Sequence, residues 1–271
     1  MVTATMRAIT AQLPDRGDGD DRVHLTANAV IVLDGASAFL NHGVSAATYV
    51  DSLGASLTQL VRASPDADLT EILRDAIART RDALDLIPGR APSSTVAIAR
   101  ATAEAVDLLV LGDSQVATPK GTVRDDRLAH VAPDQRKAYR TWLAEGHGYD
   151  DTLRGLLHEL QAEQIRYRNR PGGYWIAEAD PNAAQHAITS QLTIAAVPWL
   201  VVATDGAYKP MGYLGLDNWA TLAHATPNQL SAVLMQCQQW EAQEDPDGAA
   251  LPRAKRHDDK TIAACQLAPR T

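Results

Sequence analysis

The chain has 271 residues, enough to bury a sizeable core in one large domain or two smaller ones. Hydrophobic residues make up 45% and charged residues 21%, ordinary globular usage that excludes a largely disordered chain. The net charge of -8 argues against nucleic acid as a partner, because phosphate backbones are gripped by Lys/Arg surfaces. Cys237 and Cys265 are too few for a disulfide framework and match no zinc spacing, so both are expected to be buried, inert thiols. Residues 1–7 lack the layout of a signal peptide, and no apolar run reaches the ~20 residues needed to cross a bilayer. The expectation is a cytoplasmic protein with no membrane partner.

With a single Phe, the core must rely on Leu, Ile, Val and Ala. Short β-branched runs over 23–26 and 29–33 read as strands, the second ending at Asp34-Gly35. Val50, Leu53, Leu57, Leu60 and Val61 share one helical face. Leu69, Ile72, Leu73, Ala76, Ile77 and Leu84 repeat that spacing behind a capped start at Asp68, and Pro88-Gly89 stops the helix. Strand signals return over 95–99, 105–111 and 114–117. Residues 133–168 read as charged, exposed helix, and 174–177 as strand. A further strand over 199–204 ends at Asp205-Gly206, helices follow near 215–224 and 227–242, and 261–264 is the last strand. This order suits two packed sheets with helices outside, an α+β fold.

One feature recurs: an apolar strand that ends in an acid beside a small residue. It occurs at Leu33-Asp34-Gly35, Leu111-Gly112-Asp113-Ser114 and Thr204-Asp205-Gly206, and the pair Asp258-Asp259 precedes the last strand. Any one of these alone is ordinary turn chemistry. Together they place acids on rigid mounts from which they can converge, and oxygen ligands of this kind suit Mg²⁺ or Mn²⁺.

In order and spacing these motifs resemble the series of the metal-dependent type 2C (PPM) Ser/Thr phosphatases, in their bacterial form. The matching residues are Arg16-x-x-x-Asp20-Asp21, Asp34-Gly35, Pro92-Ser93-Ser94-Thr95, Gly112-Asp113-Ser114, Thr204-Asp205-Gly206 and Asp258-Asp259-Lys260-Thr261. The resemblance implies a four-layer α-β-β-α sandwich over 5–268, with two antiparallel sheets at its centre and 125–170 as a helical flap or lid. It implies hydrolysis of phosphoserine or phosphothreonine in a protein substrate by a metal-activated water. Two core Mn²⁺ or Mg²⁺ ions are implied, with Asp34 bridging them, the Gly35 carbonyl on one, and Asp205 and Asp258 completing the second. Asp113, with Asp205, would hold a weaker third ion. Asp21 and Asp20 would hold water in the outer shell, and Arg16 would clamp the phosphate.

The sequence departs from the family pattern in several places. Ala36 stands where many members carry a His that serves as general acid, as it does not in bacterial relatives. His257, beside Asp258, is a candidate for an outer-shell or acid role. Asp20 replaces Glu, Ser93 replaces a Gly and Asp259 replaces Asn. The run Arg253-Ala254-Lys255-Arg256 reads as a solvated turn, or as a basic patch that attracts phosphorylated substrate. Two alternatives stand beside the phosphoprotein phosphatase: a catalytically weak phosphatase-fold regulator, and the same hydrolase acting on a small phosphorylated metabolite.

Overall fold

The structure, a computed structural model, describes residues 6–15, 18–36 and 43–267. Strands β1 (Met6–Leu13), β2 (Arg22–Leu25) and β3 (Ala29–Ala36) come first, then helices α1 (Ala46–Ala63) and α2 (Leu69–Ala83). Strands β4 (Ser93–Ala101), β5 (Ala105–Leu111), β6 (Gln115–Thr118) and β7 (Gly121–Arg124) lead to helices α3 (Pro133–Ala144) and α4 (Asp151–Tyr167). Strands β8 (Ile188–Thr193) and β9 (Trp199–Ala203), helices α5 (Asp205–Tyr213), α6 (Trp219–Leu222) and α7 (Pro227–Gln243), and strand β10 (Lys260–Leu267) complete the order. The strands form two five-stranded sheets, β1-β10-β9-β6-β7 and β2-β3-β4-β5-β8. Every strand pairing in them is antiparallel. The fold is the expected α+β sandwich.

Strand alternation assigns each side chain to a layer. On β3, Ile31 and Leu33 pack outward against Tyr49, Val50, Leu53 and Leu57 of α1 and Leu73 and Ile77 of α2. Val30 and Val32 point the other way and meet Val116, Leu200, Val202, Ala263 and Cys265 of the facing sheet. This inter-sheet layer, which also takes Ala97, Ala99 and Val110, needs no large aromatic residues, so a chain with a single Phe can fill it. The outer face of the β1-β10-β9-β6-β7 sheet, with Val201, Ala203, Ile262 and Ala264, is covered by Met211, Leu230 and Leu234. Each fully buried Val, Leu or Ile contributes about 1.5–3 kcal/mol. The helix pair α3–α4 packs around a smaller core of its own, in which Tyr139, Leu143, Leu153 and Leu160 meet Tyr174 and Ile176.

Local chemistry sets the helix starts. The Asp68 carboxylate accepts from the Thr70 and Glu71 amides, as expected, and Thr226 and Gln229 form a reciprocal capping box on α7. Several expectations are corrected. Helix α2 ends at Ala83, with Asp85 at φ +52, before Pro88-Gly89 is reached. Residues 174–177 are no strand: they make only single bridges, Arg168 to Tyr174 and Ser94 to Ala177, and Trp175 turns to stack on His186. The helix expected near 215–224 is confined to α6, and an earlier helix, α5, begins at Asp205 itself. Edge strands β1, β7 and β8 carry too little apolar alternation to read as sheet; β8 is exposed at four of its six positions. No helix among the described residues is long and apolar enough to cross a membrane.

A buried ion pair braces the approach to β10. Lys260 Nζ donates to Glu241 Oε2 on α7 at 2.8 Å, with side-chain exposures of 0% and 2%. Removing one partner leaves a buried charge uncompensated, whereas replacing both by apolar groups does not. Lys260→Met should therefore cost about 3–5 kcal/mol in urea denaturation. Combining it with Glu241→Leu should recover most of that loss; a double variant as unstable as the single one would show that the lysine acts otherwise.

Candidate metal centre

The aspartates singled out in the sequence meet at one end of the inter-sheet space. Asp34 follows Val30 and Val32 on the strand alternation and so lies on the inter-sheet side of β3, within the strand rather than beyond its end. Asp113 sits in the turn where the chain leaves β5 of one sheet for β6 of the other. Asp205 opens α5 directly after β9, and Asp258 lies just before β10. The pairings bring these ends together: Asp34 is opposite Thr95, Gln115 is opposite Ala203, and Ala203 is opposite Ile262.

Short cross-ties hold the acids in place. Thr204 Oγ1 donates to Asp21 Oδ2 at 2.9 Å and accepts from the Thr261 amide at 3.0 Å, joining β9, β10 and the 18–21 turn. Thr95 Oγ1 and Ser114 Oγ are 2.7 Å apart, which ties the Ser93-Ser94-Thr95 segment to the Asp113 turn. Gly112 adopts φ +85, where a Cβ would also meet Thr95 at 2.9 Å. A Cβ on Gly206 would come 2.0 Å from the Asp259 carbonyl, so only glycine lets α5 approach the β10 entry this closely. Asp259, in place of the family Asn, accepts from the Asp20 amide at 2.5 Å. Buried Arg22 donates to the carbonyls of Gly19 and Asp21 and pairs with Asp51. Tyr208 Oη donates to the Asp113 carbonyl at 3.0 Å.

The electrostatics show a cluster short of positive charge. Burial, and then the charges of Asp21, Asp205, Asp258 and Asp113, push the Asp34 carboxyl well above the usual range. Burial, with repulsion from Asp205, raises Asp113 to about 6. Burial raises Asp21 to about 7, against hydrogen bonds from Thr261 and Thr204 and with help from Asp259 and Asp258. Asp258 is raised by burial and Asp205, and Asp20 by burial and Asp259. Asp205 goes the other way: burial works against its charge, but the Lys209 ammonium and a bond shared with Asp34 hold it below the usual range.

Two lysines supply positive charge to this cluster. Lys209 Nζ, one turn along α5, donates to Asp205 Oδ2 at 2.5 Å and lies 3.9 Å from Asp113 Oδ2. Lys255 Nζ donates to Asp258 Oδ1 at 2.7 Å. Among the described residues, no three His, Cys, Asp or Glu side chains lie close enough together to hold a metal ion as they stand. The donor set nevertheless fits a hard divalent cation. It consists of carboxylates repelled by one another, and Asp21 Oδ1 is buried without a hydrogen-bond partner among the described residues.

Arg16 lies outside the described residues. His257 Nδ1 is 3.1 Å from Glu241 Oε2, the oxygen that also takes Lys260. Of the basic run, Arg253 is held by Asp245 and Lys255 by Asp258. Sequence reasoning missed Lys209, Tyr208 and Arg22, and named Thr204 only as part of its motif. Only Lys209 carried a signal, its i+4 spacing from Asp205. Both cysteines are buried, and burial raises their thiols to about 11 for Cys237 and about 12 for Cys265.

No protein-family profile matches the chain, and no curated protein matches it by sequence. Its structure does resemble solved ones along their whole length. The PPM Ser-Thr phosphatase MsPP from Mycobacterium smegmatis, solved with cacodylate, superposes with a TM-score of 0.56 at 17% identity, covering 99% of this chain and 100% of that one. The catalytic domain of the serine/threonine phosphatase PstP, solved with two manganese ions, gives 0.56 at 13% identity over 98% and 100%. The photosystem II phosphatase PBCP gives 0.61 at 11% identity over 97% and 99%. The chain has the fold of the PPM-type Ser/Thr phosphatases, over nearly the full extent of both molecules.

Proposed function

We propose that the chain is a metal-dependent phosphatase of phosphoserine or phosphothreonine in protein substrates, acting in the cytoplasm. The observation that carries this reading is the convergence of Asp34, within β3, and of Asp113, Asp205 and Asp258, at separate junctions between elements, into one charge-starved cluster on this fold. One neighbour on that fold was solved with two manganese ions. Asp34, the Gly35 carbonyl, Asp205 and Asp258 would hold two Mn²⁺ or Mg²⁺ ions, and Asp113 with Asp205 a weaker third. When bound, the metal supplies an activated water as nucleophile and positive charge for the phosphoryl oxygens. Asp21 and Asp20 orient water at the cluster's edge, and Arg16 grips the phosphate. With Ala36 where a His could protonate the leaving oxygen, that proton comes from solvent or from His257 once it leaves Glu241. Residues 5–268 form one catalytic domain in this reading, with 125–170 as its lid.

One observation favours the second reading, a catalytically weak regulator of the same fold: Lys209 and Lys255 already engage the metal-binding carboxylates. Turnover separates the two. Hydrolysis of p-nitrophenyl phosphate or a phosphothreonine peptide should require Mn²⁺ or Mg²⁺ and stop with EDTA. It should survive thiol alkylation, since both cysteines are buried. Metal binding without hydrolysis of either substrate would support the regulator.

The aspartates also differ in their expected roles. Asp34→Asn should weaken tight metal binding and abolish turnover together, because one shared anionic ligand serves both core ions. Asp113→Asn should leave tight binding intact in calorimetry while lowering kcat at least about tenfold, the loss of ~1.4 kcal/mol at the catalytic step. Equal loss of tight binding in both variants would make Asp113 a core ligand, and no effect of Asp113→Asn would return its turn to a purely structural role.

A further inference from the structure

We propose that Lys209 and Lys255 are built-in counter-ions of the metal-free aspartate cluster, and that a divalent cation must displace them to bind. This inference rests on the metal-centre reading above and concerns what sets that centre's affinity.

The two ammonium groups divide the cluster between them. Lys209 Nζ is 2.5 Å from Asp205 Oδ2 and 3.9 Å from Asp113 Oδ2. Lys255 Nζ is 2.7 Å from Asp258 Oδ1, and its charge also reaches Asp34 and Asp259. A hard cation sits about 2 Å from its carboxylate oxygens. An ammonium left on the same oxygens would then face that cation across a few ångströms, where like charges repel strongly. Ion and lysine therefore exclude one another at Asp205 and Asp258.

Departure is easy for these lysines. Their side chains are 50% and 58% exposed, and each stem is flexible enough to carry its ammonium into water. Lys209 projects from α5 one turn beyond Asp205, and Lys255 stands in an exposed turn three residues before Asp258. Exposed i,i+3 and i,i+4 pairs usually contribute little. These two differ because their partners are set among other carboxylates and gain more from a neighbouring positive charge than an isolated surface acid does. The consequence is a centre stabilised without metal and tuned to lower cation affinity than its carboxylates alone would give.

The test uses the full chain stripped with EDTA, with Mn²⁺ alone as the probe. Lys209→Met and Lys255→Met keep the stem and remove the charge; Lys209→Gln and Lys255→Gln serve where a Met variant folds poorly. Lys120→Met, at an exposed position in the β6–β7 turn, controls for net charge. Calorimetry should show Mn²⁺ binding about 5–10-fold tighter in each cluster variant and unchanged in the control. The metal-free Tm should fall in the cluster variants, widening the gap between metal-free and Mn²⁺-loaded protein. Wild-type protein that binds Mn²⁺ with variants that bind it no tighter would overturn the proposal while leaving the metal-centre reading intact. Failure of wild type and all variants to bind Mn²⁺ would sink both.

Discussion

A carboxylate taken partly out of water beside other carboxylates must find a proton, a set of donors or a positive charge. In this molecule Asp34, Asp113, Asp205 and Asp258, with Asp20 and Asp21 behind them, are placed in that position at one end of an apolar sandwich. Much of the surrounding architecture answers that constraint. Donors reach Asp21 from Thr204 and ammonium groups reach Asp205 and Asp258, while buried Asp34 faces the charges of Asp21, Asp205, Asp258 and Asp113. A fold selected for stability alone would not gather so much negative charge where burial works against it.

The same constraint explains why the site is stitched from distant parts of the chain. Like charges push their mounts apart unless those mounts are tied across the sheets. The ties are hydroxyls and backbone groups that carry no net charge: Thr204 to Thr261 and Asp21, Thr95 to Ser114, and the Asp20 amide to Asp259. Gly206 and Gly112 serve the same end by letting backbones approach where a Cβ would intrude. Ser93-Ser94-Thr95 thus matters for what it holds, since Thr95 fixes the turn that presents Asp113.

What could be read from the sequence follows how local each cause is. The amphipathic spacing of α1 and α2, the Asp68 cap and the acids beside Gly or Ser are local, and all were legible. Edge strands β1, β7 and β8 were not, because half-exposed strands such as β8 carry no clean apolar alternation. The aromatic-led 174–177 segment looked like a strand, yet its side chains serve the α3–α4 core and a ring stack. Lys209 escaped notice because no helix was expected between Asp205 and residue 215. Without a helix starting at Asp205, the i+4 relation between acid and lysine has no meaning. The Glu241–Lys260 pair joins residues 19 apart across a helix, a loop and a strand end, and only tertiary structure reveals it.

That buried pair contrasts with the lysines of the cluster, and the contrast bears on how the site could work. An apolar pair could hold α7 to β10 about as well, so stability alone does not account for charges at this position. Lys260 Nζ also donates to the Asp258 carbonyl at 3.0 Å, and His257 Nδ1 meets the same Glu241 oxygen. Contacts on both sides of Asp258 therefore fix its backbone. Lys255, only three residues earlier, is exposed and held mainly through its ammonium. A rigidly mounted carboxylate beside a cation on a long, exposed stem can exchange one positive partner for another without the strand ends moving. Lys209 on α5 gives Asp205 the same pairing, with Thr204 and Gly206 as the fixed parts and the lysine stem as the mobile one. Charge can thus be swapped at both halves of the cluster while its geometry is kept, which is what a centre needs if it is to fold without its metal and then receive it.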